Sequence, residues 1–517
     1  MSKNLLKSTS IVSAMTFLSR ILGLIRDVVL ADFVGAGLYA DVFLLAQKIP
    51  NFFRRLFAEG AFSQAFVPVL NQTMVEQGNE GVRQLINKVA GTLGLILLTI
   101  TVFGVLGSTG IASLFGMGFI GDPEKFNLLS LMIKITLPYL MFISLTAFLG
   151  AVLNSYGKFA VPAITPIFLN LSFIFSVIFV APLLDLPVMA LPWAVFVAGV
   201  IQFGFQLPFL RKMGLLSKPF GMWKEWAWKD SQVQRILKLL TPALFGVSVV
   251  QINLLIDSII ATHLETGSIS WLYYSDRLLE FPLGIFGIAI ATVVLPSLSR
   301  KHAQDSPKAF SDMLDWAMKL VLLIGLPAAI ALILLAEPLM LTLFQRGAFH
   351  LSDASRAAMS LAAYAIGLNF FMLIKVLAPG YYARQDTKTP VKIGLICVGI
   401  NLAFNLLLYK PLGHVGLALA TSLSAAVNAL LLYRGLAKQG VYQNHHHWLK
   451  WSLQVLAALT LLVVVILGLS PEILDWQQMQ FSNRLLWLMI LVVAGVFCYV
   501  SGLLITGVRF KDLLHRE

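Results

Sequence analysis

The sequence predicts an all-α polytopic membrane protein of about fourteen transmembrane helices, arranged as two six-helix repeats around a central cavity plus two extra C-terminal helices. Three observations predict it. Apolar runs of twenty or more residues recur from end to end. Only 12% of the 517 residues are charged and 58% are hydrophobic, with a mean hydropathy of +0.83; a soluble chain of this length carries about twice that charge fraction. Short matches recur at a near-constant offset of 226–232 residues.

The candidate spans lie near 8–33, 38–66, 84–115, 127–153, 160–181, 187–210, 236–261, 268–298, 312–344, 356–381, 390–409, 413–433, 450–469 and 484–507. The first follows Lys3 and Lys7, contains Arg20, Arg26 and Asp27, and lacks a small-residue cleavage pattern, so it reads as a retained helix rather than a signal peptide. The net charge of +13 is explained by basic loops on one side of a membrane, not by nucleic acid. With the N-terminus inside, the inner segments hold 24 Lys and Arg, among them Arg300, Lys301, Lys308, Arg384 and Lys438, against 5 outside (Lys125, Arg346, Arg356, Lys410 and Arg484). Both termini are therefore expected in the cytoplasm. No loop is long enough for a separate soluble domain. Cys397 and Cys498 lie in apolar runs and form no disulfide framework.

The repeat pairs Lys48-Ile-Pro50 with Glu280-Phe-Pro282, Pro162 with Pro390, Asn170-Leu-Ser-Phe with Asn401-Leu-Ala-Phe, and Lys212-Met-Gly with Lys438-Gln-Gly. Six spans per half is an even number, so the halves share one topology, and a substrate site is expected between them. The expected limits are 1–220 for the N-terminal lobe, 235–440 for the C-terminal lobe and 449–517 for the two additional helices and a cytoplasmic tail.

Charges inside spans mark the candidate site, because each costs about 2.5–3.5 kcal/mol at a helix centre and persists only where it is paired or wet. The first half supplies Arg20 and Arg26, then Asp41, Lys48, Arg54, Arg55 and Glu59. Asp41, Lys48 and Arg55 are seven apart and share a helix face; Arg55 and Glu59, four apart, can pair. Pro50 weakens the ladder and predicts a bend. The second half answers with Asp276, Arg277 and Glu280, with Ser270 seven residues before Arg277, and with Lys375. These groups are expected to converge on one cavity of net positive charge. The competing reading is snorkelling at the interface for Arg54, Arg55 and Glu59, and a self-satisfied brace for Asp276, Arg277 and Glu280. Asp27, beside Arg26, reads as a brace.

A cationic cavity selects an anion. Guanidinium forks match phosphate oxygens and Lys adds a point charge, which suits a pyrophosphate or multi-carboxylate headgroup whose lipid tail stays in the bilayer. No Walker A motif is present, so no nucleotide engine is expected in the chain. An anion leaving a negative interior gains about 2.3 kcal/mol per charge per 100 mV, so the membrane potential is an adequate driving force. A second candidate constellation is a sodium site of Asp257, Asn401, Asn405 and Thr421, oxygen donors that suit a small hard cation; the plainer alternative is an interhelical hydrogen-bond patch. His445, His446 and His447 read as a solvated loop rather than a metal site.

SRILGLIRD (19–27), AQKIPNFFRRLFAEGAFSQAFVPVL (46–70), WLYYSDRLLEFPLGIFGIAIATVVLPSLS (271–299) and KVLAPGYYARQDTKTPVK (375–392) resemble the MurJ (MviN) lipid II flippase family of the multidrug/oligosaccharidyl-lipid/polysaccharide exporter superfamily, in its proteobacterial form. The resemblance covers nearly the whole chain. It implies fourteen helices, an apolar groove on the last two for an undecaprenyl tail, and translocation of lipid II, the undecaprenyl-diphosphate-linked disaccharide-pentapeptide, across the bacterial inner membrane by alternating access. Its functional charges carry over onto Arg20, Arg26, Asp41, Lys48, Arg54, Glu59, Asp276, Arg277, Glu280 and Lys375. It does not fix Asp257, where the family varies. The expected partners are lipid II and membrane lipids, with no nucleic acid, no nucleotide and no required cofactor beyond a candidate Na+. The rivals are a flippase for another polyprenyl-diphosphate-linked saccharide, a cation-coupled exporter of the same superfamily, a membrane glycosyltransferase and a scaffold. The arginines disfavour a cationic-drug exporter, and no outer loop offers an obvious catalytic acid.

Overall fold

Backbone amides inside a bilayer have no water to bond, so a chain of apolar runs must satisfy them within helices. The computed structural model describes residues 3–56, 62–215, 227–443 and 448–508, and over these it is predominantly helical. No strand forms among them, only an isolated bridge between Arg346 and Phe349.

The chain divides into two compact units, Met1–Thr266 and Gly267–Glu517. The first contains α1 (Lys3–Val34), α2 (Leu38–Leu56), α3 (Phe62–Leu106), α4 (Ser108–Phe115), α5 (Pro123–Thr136), α6 (Tyr139–Ser155), α7 (Ala160–Phe175), α8 (Ala190–Lys212) and α9 (Ser231–Ala261). The second contains α10 (Ser268–Pro282), α11 (Ile288–Ala303), α12 (Pro307–Leu334), α13 (Ala336–Leu343), α14 (Leu351–Tyr382), α15 (Lys388–Lys438), α16 (Trp448–Leu469), α17 (Ile473–Gln478) and α18 (Phe481–Ile505).

The internal repeat is visible element by element. Ser108 and Ala336, Pro123 and Leu351, and Ala160 and Lys388 each open corresponding helices 228 residues apart. The second-half counterpart of α1 is α9, yet α9 packs on α2 and α3 inside the first unit. Side-chain bonds hold it there. Lys88 Nζ bonds Asp230 at 2.8 Å, Gln232 Nε2 donates to Thr73 Oγ1 at 3.1 Å, and Arg235 donates to Gln72 Oε1 at 2.8 Å. Asp230 also caps α9 by accepting from the N–H groups of Gln232 and Val233. Burial opposes its ionisation, but the Lys88 ammonium and these N–H groups outweigh burial and hold its carboxyl below the ordinary range.

Among the described residues, nine helices are long and apolar enough to cross a membrane. The fourteen expected spans differ from these for two physical reasons. Helices such as α1 and α2 carry several charges and so are not uniformly apolar. Others are joined: α15 runs 51 residues but breaks at Gly413, whose φ of 56° only a glycine adopts at little cost, so one continuous assignment holds two antiparallel-capable segments.

Two sequence boundaries are corrected. The span expected over 38–66 is helical over Leu38–Leu56, running through Pro50, and again from Phe62, with residues 57–61 outside the described residues. Residues 67–83, expected as a loop, are helical on both sides of Gly78, where φ is 63°. The span expected over 268–298 is interrupted after Pro282 by a π-turn over Leu283–Gly287; the proline removes a ladder donor there.

In each unit apolar side chains fill the interhelical space. Phe62, Phe66 and Phe148 stack within 5.1–5.8 Å in the first. In the second, Leu314, Val321, Leu368 and Leu432 are buried together. The last helices are tied on by polar contacts. Asp315 accepts from Tyr442 Oη (2.8 Å), Trp448 Nε1 (2.6 Å) and Lys319 (2.7 Å), which ties Tyr442 and the first residue of α16 to α12. Burial, with the Asp315 carboxylate, pushes the Tyr442 phenol above its ordinary range.

Arg484, at the start of α18, is buried. It donates to the carbonyls of Trp476, Gln477 and Leu341 and to Gln345 Oε1, at 2.5–3.0 Å. The planar fork matches this set of acceptors, and a lysine does not. Arg484→Leu is expected to strand them and lower the melting temperature in detergent by about 5 °C or more, with Arg484→Lys only partly better. An unchanged melting curve would show that these bonds contribute nothing.

Candidate functional site

The charges singled out in the first unit are engaged by specific partners. Arg26 donates from Nε (2.9 Å) and Nη2 (2.6 Å) to Oδ1 of its neighbour Asp27, which is fully buried. Its Nη1 reaches Asn170 Oδ1 at 3.1 Å, and its guanidinium lies 5.7 Å from the Phe173 ring centroid. Asn170 in turn donates to the Ser19 carbonyl at 3.1 Å. One residue of α7 thus binds both the backbone and a cationic side chain of α1, and fixes the direction of the fork. Asp27 is a brace, as the sequence suggested.

On α2, Asp41 is buried and Lys48 donates to Ser258 Oγ of α9 at 2.8 Å. Ser258 Oγ in turn donates to the Leu254 carbonyl at 2.6 Å. Arg54 donates to Asn51 Oδ1 at 3.3 Å, one turn back. Arg20, Arg54 and Arg55 are half-buried. Glu59 lies outside the described residues, as do His445, His446 and His447, so the Arg55–Glu59 pair and the histidine tract have no geometry here.

In the second unit, Arg277 Nη1 bonds Glu280 Oε2 at 3.1 Å; the two side chains are 30% and 43% exposed. Asp276 is half-buried beside them, and Lys375 is exposed on α14. Ser270 is fully buried. The helix start that holds it is fastened by a polar network. Trp271 Nε1 donates to Asp353 (3.0 Å), Arg356 stacks 4.6 Å from the Trp271 ring, and His414 Nδ1 meets Ser360 Oγ at 2.6 Å. The face of α10 with Arg277 and Glu280 therefore projects from a firmly packed base.

Of the candidate sodium ligands, Asp257 belongs to the first unit and Asn401, Asn405 and Thr421 to the second. Asn401 and Asn405 are fully buried and bonded to each other, Nδ2 to Oδ1 at 2.9 Å; Thr421 bonds the Leu417 carbonyl at 3.0 Å. Among the described residues no group of three or more His, Cys, Asp or Glu is placed to hold a metal ion.

Sequence reasoning missed Asn170, Ser258 and Ser19 as partners. The repeat did carry a signal for the first: Asn170 matches Asn401, and both are buried polar groups of the same repeat segment.

Residues 30–487 match the family described as Lipid II flippase MurJ. The chain belongs to that family. A relative in Vibrio cholerae named "Probable lipid II flippase MurJ" is 52% identical over 523 residues, covering 99% of this chain and 98% of the relative. The Haemophilus influenzae protein of the same name is 51% identical over 516 residues, covering 97% and 100%. A solved lipid II flippase MurJ in an inward closed conformation superposes with a TM-score of 0.79 at 27% identity, over 98% of this chain and 99% of that one. An inward-facing multidrug resistance MATE transporter of the MOP superfamily reaches a TM-score of 0.68 at 14% identity, over 83% and 98%, a likeness of fold alone.

Proposed function

We propose that the protein translocates lipid II from the cytoplasmic to the periplasmic leaflet of the bacterial inner membrane, by alternating access and without enzymatic chemistry. The full-length likeness to MurJ lipid II flippases carries this reading. The charge chemistry agrees with it. Arg20, Arg26, Lys48, Arg54, Arg55, Arg277 and Lys375 supply forks and point charges for a diphosphate, and Asp41, Glu59, Asp276 and Glu280 temper them so that binding stays reversible. On α18, Met489, Ile490, Val493 and Phe497 form an exposed apolar helix face that suits a polyprenyl tail. The bias of Lys and Arg between alternate loops supports cytoplasmic termini. The membrane potential supplies about 2.3 kcal/mol per exported charge per 100 mV.

The test is the fraction of lipid-linked cell-wall precursor that an externally added pyrophosphate-cleaving enzyme reaches in cells depleted of the protein. The expected result is collapse of that fraction while total precursor rises. An unchanged fraction would redirect the assignment to another polyprenyl-diphosphate-linked saccharide.

Sodium coupling through Asp257, Asn401, Asn405 and Thr421 is a separate part of the proposal, supported by their oxygen-rich chemistry. It expects Asp257→Ala to remove any sodium dependence of translocation. Equal rates in sodium and potassium buffers, with an active Asp257→Ala variant, would leave only the hydrogen-bond role of Asn401 and Asn405.

A further inference from the structure

In the second unit, three connections meet around a cavity of about 280 Å³ lined by none of the charges assigned above to the headgroup: the turn from α11 to α12, the turn from α14 to α15, and the segment following α15. Lys301, His302 and Arg384 line it, with Phe310 and Gln439 as walls and Asp305 as its one acidic group. We propose that this cavity is a binding site for a phosphate-bearing ligand on the face that the charge bias assigns to the cytoplasm.

Three features carry the proposal. First, the cationic groups come from different connections, so the fold gathers them rather than the sequence. Arg384 is held in place by a 2.7 Å bond from Nη1 to Gln439 Oε1, which orders the fork and leaves its other donors to a ligand. Second, the cavity wall includes Ser306 and Pro307, the N-cap and first residue of the 28-residue helix α12. The Ser306 hydroxyl does not cap the helix, so the positive end of its dipole remains to be met by an anion. Third, Arg300 and Lys308 flank the cavity in sequence and raise the local positive potential. Asp386, in the same turn as Arg384, opposes an anion: bonds from the Thr389 hydroxyl and N–H hold its carboxyl below the ordinary range, so it keeps its negative charge and offsets part of that of Arg384.

Asp305 opposes an anion and therefore gives the site its most telling variant. It sits in the turn with φ 48°, a conformation that asparagine adopts nearly as readily as aspartate. Asp305→Asn thus removes a negative charge while preserving the turn.

The ligand chemistry has two sources, a soluble phosphate compound or the headgroup of an anionic lipid at the inner interface. Two arms separate them. In neutral detergent, the dissociation constant of the full-length protein for inorganic pyrophosphate is measured by calorimetry. In nanodiscs of phosphatidylcholine with and without phosphatidylglycerol, retention of the anionic lipid on the protein is measured after extraction. Because pyrophosphate also suits the groups proposed for lipid II, it is titrated in an Arg277→Gln background. A soluble ligand then predicts pyrophosphate binding that Lys301→Gln/Arg384→Gln weakens about tenfold or more, Asp305→Asn tightens, and Lys410→Gln, a charge removed from the opposite loops, leaves unchanged. A lipid headgroup predicts the same pattern of variants in phosphatidylglycerol retention, with no such response to pyrophosphate. Loss of fold cannot imitate a tightening in Asp305→Asn, and Arg384→Lys is expected to restore part of the binding. If neither probe responds to the Lys301/Arg384 pair nor to Asp305→Asn, the proposal is overturned.

Discussion

Arg26→Ala is expected to abolish lipid II translocation and also to destabilise the protein, a combination that sets it apart from the other arginine substitutions. The carboxylate of Asp27 is fully buried and takes two hydrogen bonds from Arg26. Removing the guanidinium leaves a buried charge without its main counter-ion, which costs about 3–5 kcal/mol in comparable settings. It also releases Asn170 from one of its two ties to α1. Two effects are thus mixed in the single variant, and a second variant separates them. Arg26→Ala with Asp27→Ala removes both charges, so it is expected to recover much of the melting temperature while translocation stays absent. Translocation is read by the external cleavage assay in depleted cells, and folding by melting in detergent. Wild-type translocation in the double variant would show that Arg26 acts only as a partner for Asp27.

Arg277→Gln is expected to reduce translocation tenfold or more with little change in stability, on the order of 0–1 kcal/mol. Its partner Glu280 is three residues away on the same helix, and both side chains are partly exposed, so the pair contributes little to folding. Polar neighbours of α10 that do fix the helix, Trp271 and Ser275, bond α14 instead and are untouched by the change. A glutamine keeps the length and one donor group but not the charge or the fork. Glu280→Gln is the complement. If Glu280 tempers the charge of Arg277, its loss strengthens headgroup binding and slows release, so initial binding rises while turnover falls. Equal activity of wild type and Arg277→Gln would return α10 to the bracing role that its internal ion pair also allows.

The fold class was legible because it rests on composition. Apolar runs in a lipid solvent admit helices, and each run can be read without knowing its neighbours. The repeat was legible for the same reason, through local matches at an offset near 228. Boundaries were less so. Residues 67–83 contain Gln, Asn, Glu and Gly and looked like a loop, but they form helix on either side of Gly78 because α9 and α6 pack against them. Helices that carry charges, such as α1 and α2, escape an apolar criterion and need pairing partners to explain them. The charged candidates were nominated from sequence alone, since an ionisable residue in an apolar run is costly wherever it lies.

The sequence by itself determined the helical membrane class, the two-fold repetition, the charge bias between loops and the roster of intramembrane charges. All of these are sums over local free energies of transfer and depend only on neighbours along the chain. Tertiary structure alone decided which partner each of these charges meets. Arg26 is divided between Asp27 and Asn170, Lys48 finds Ser258, and Arg484 is consumed by backbone carbonyls, whereas Lys375 stays exposed. It also decided that α9, by repeat the first helix of the second half, packs with the first unit. The reason is geometric: a hydrogen bond requires two groups within about 3 Å, and partners that lie 144 or 210 residues apart in the chain meet only when the helices that carry them are packed.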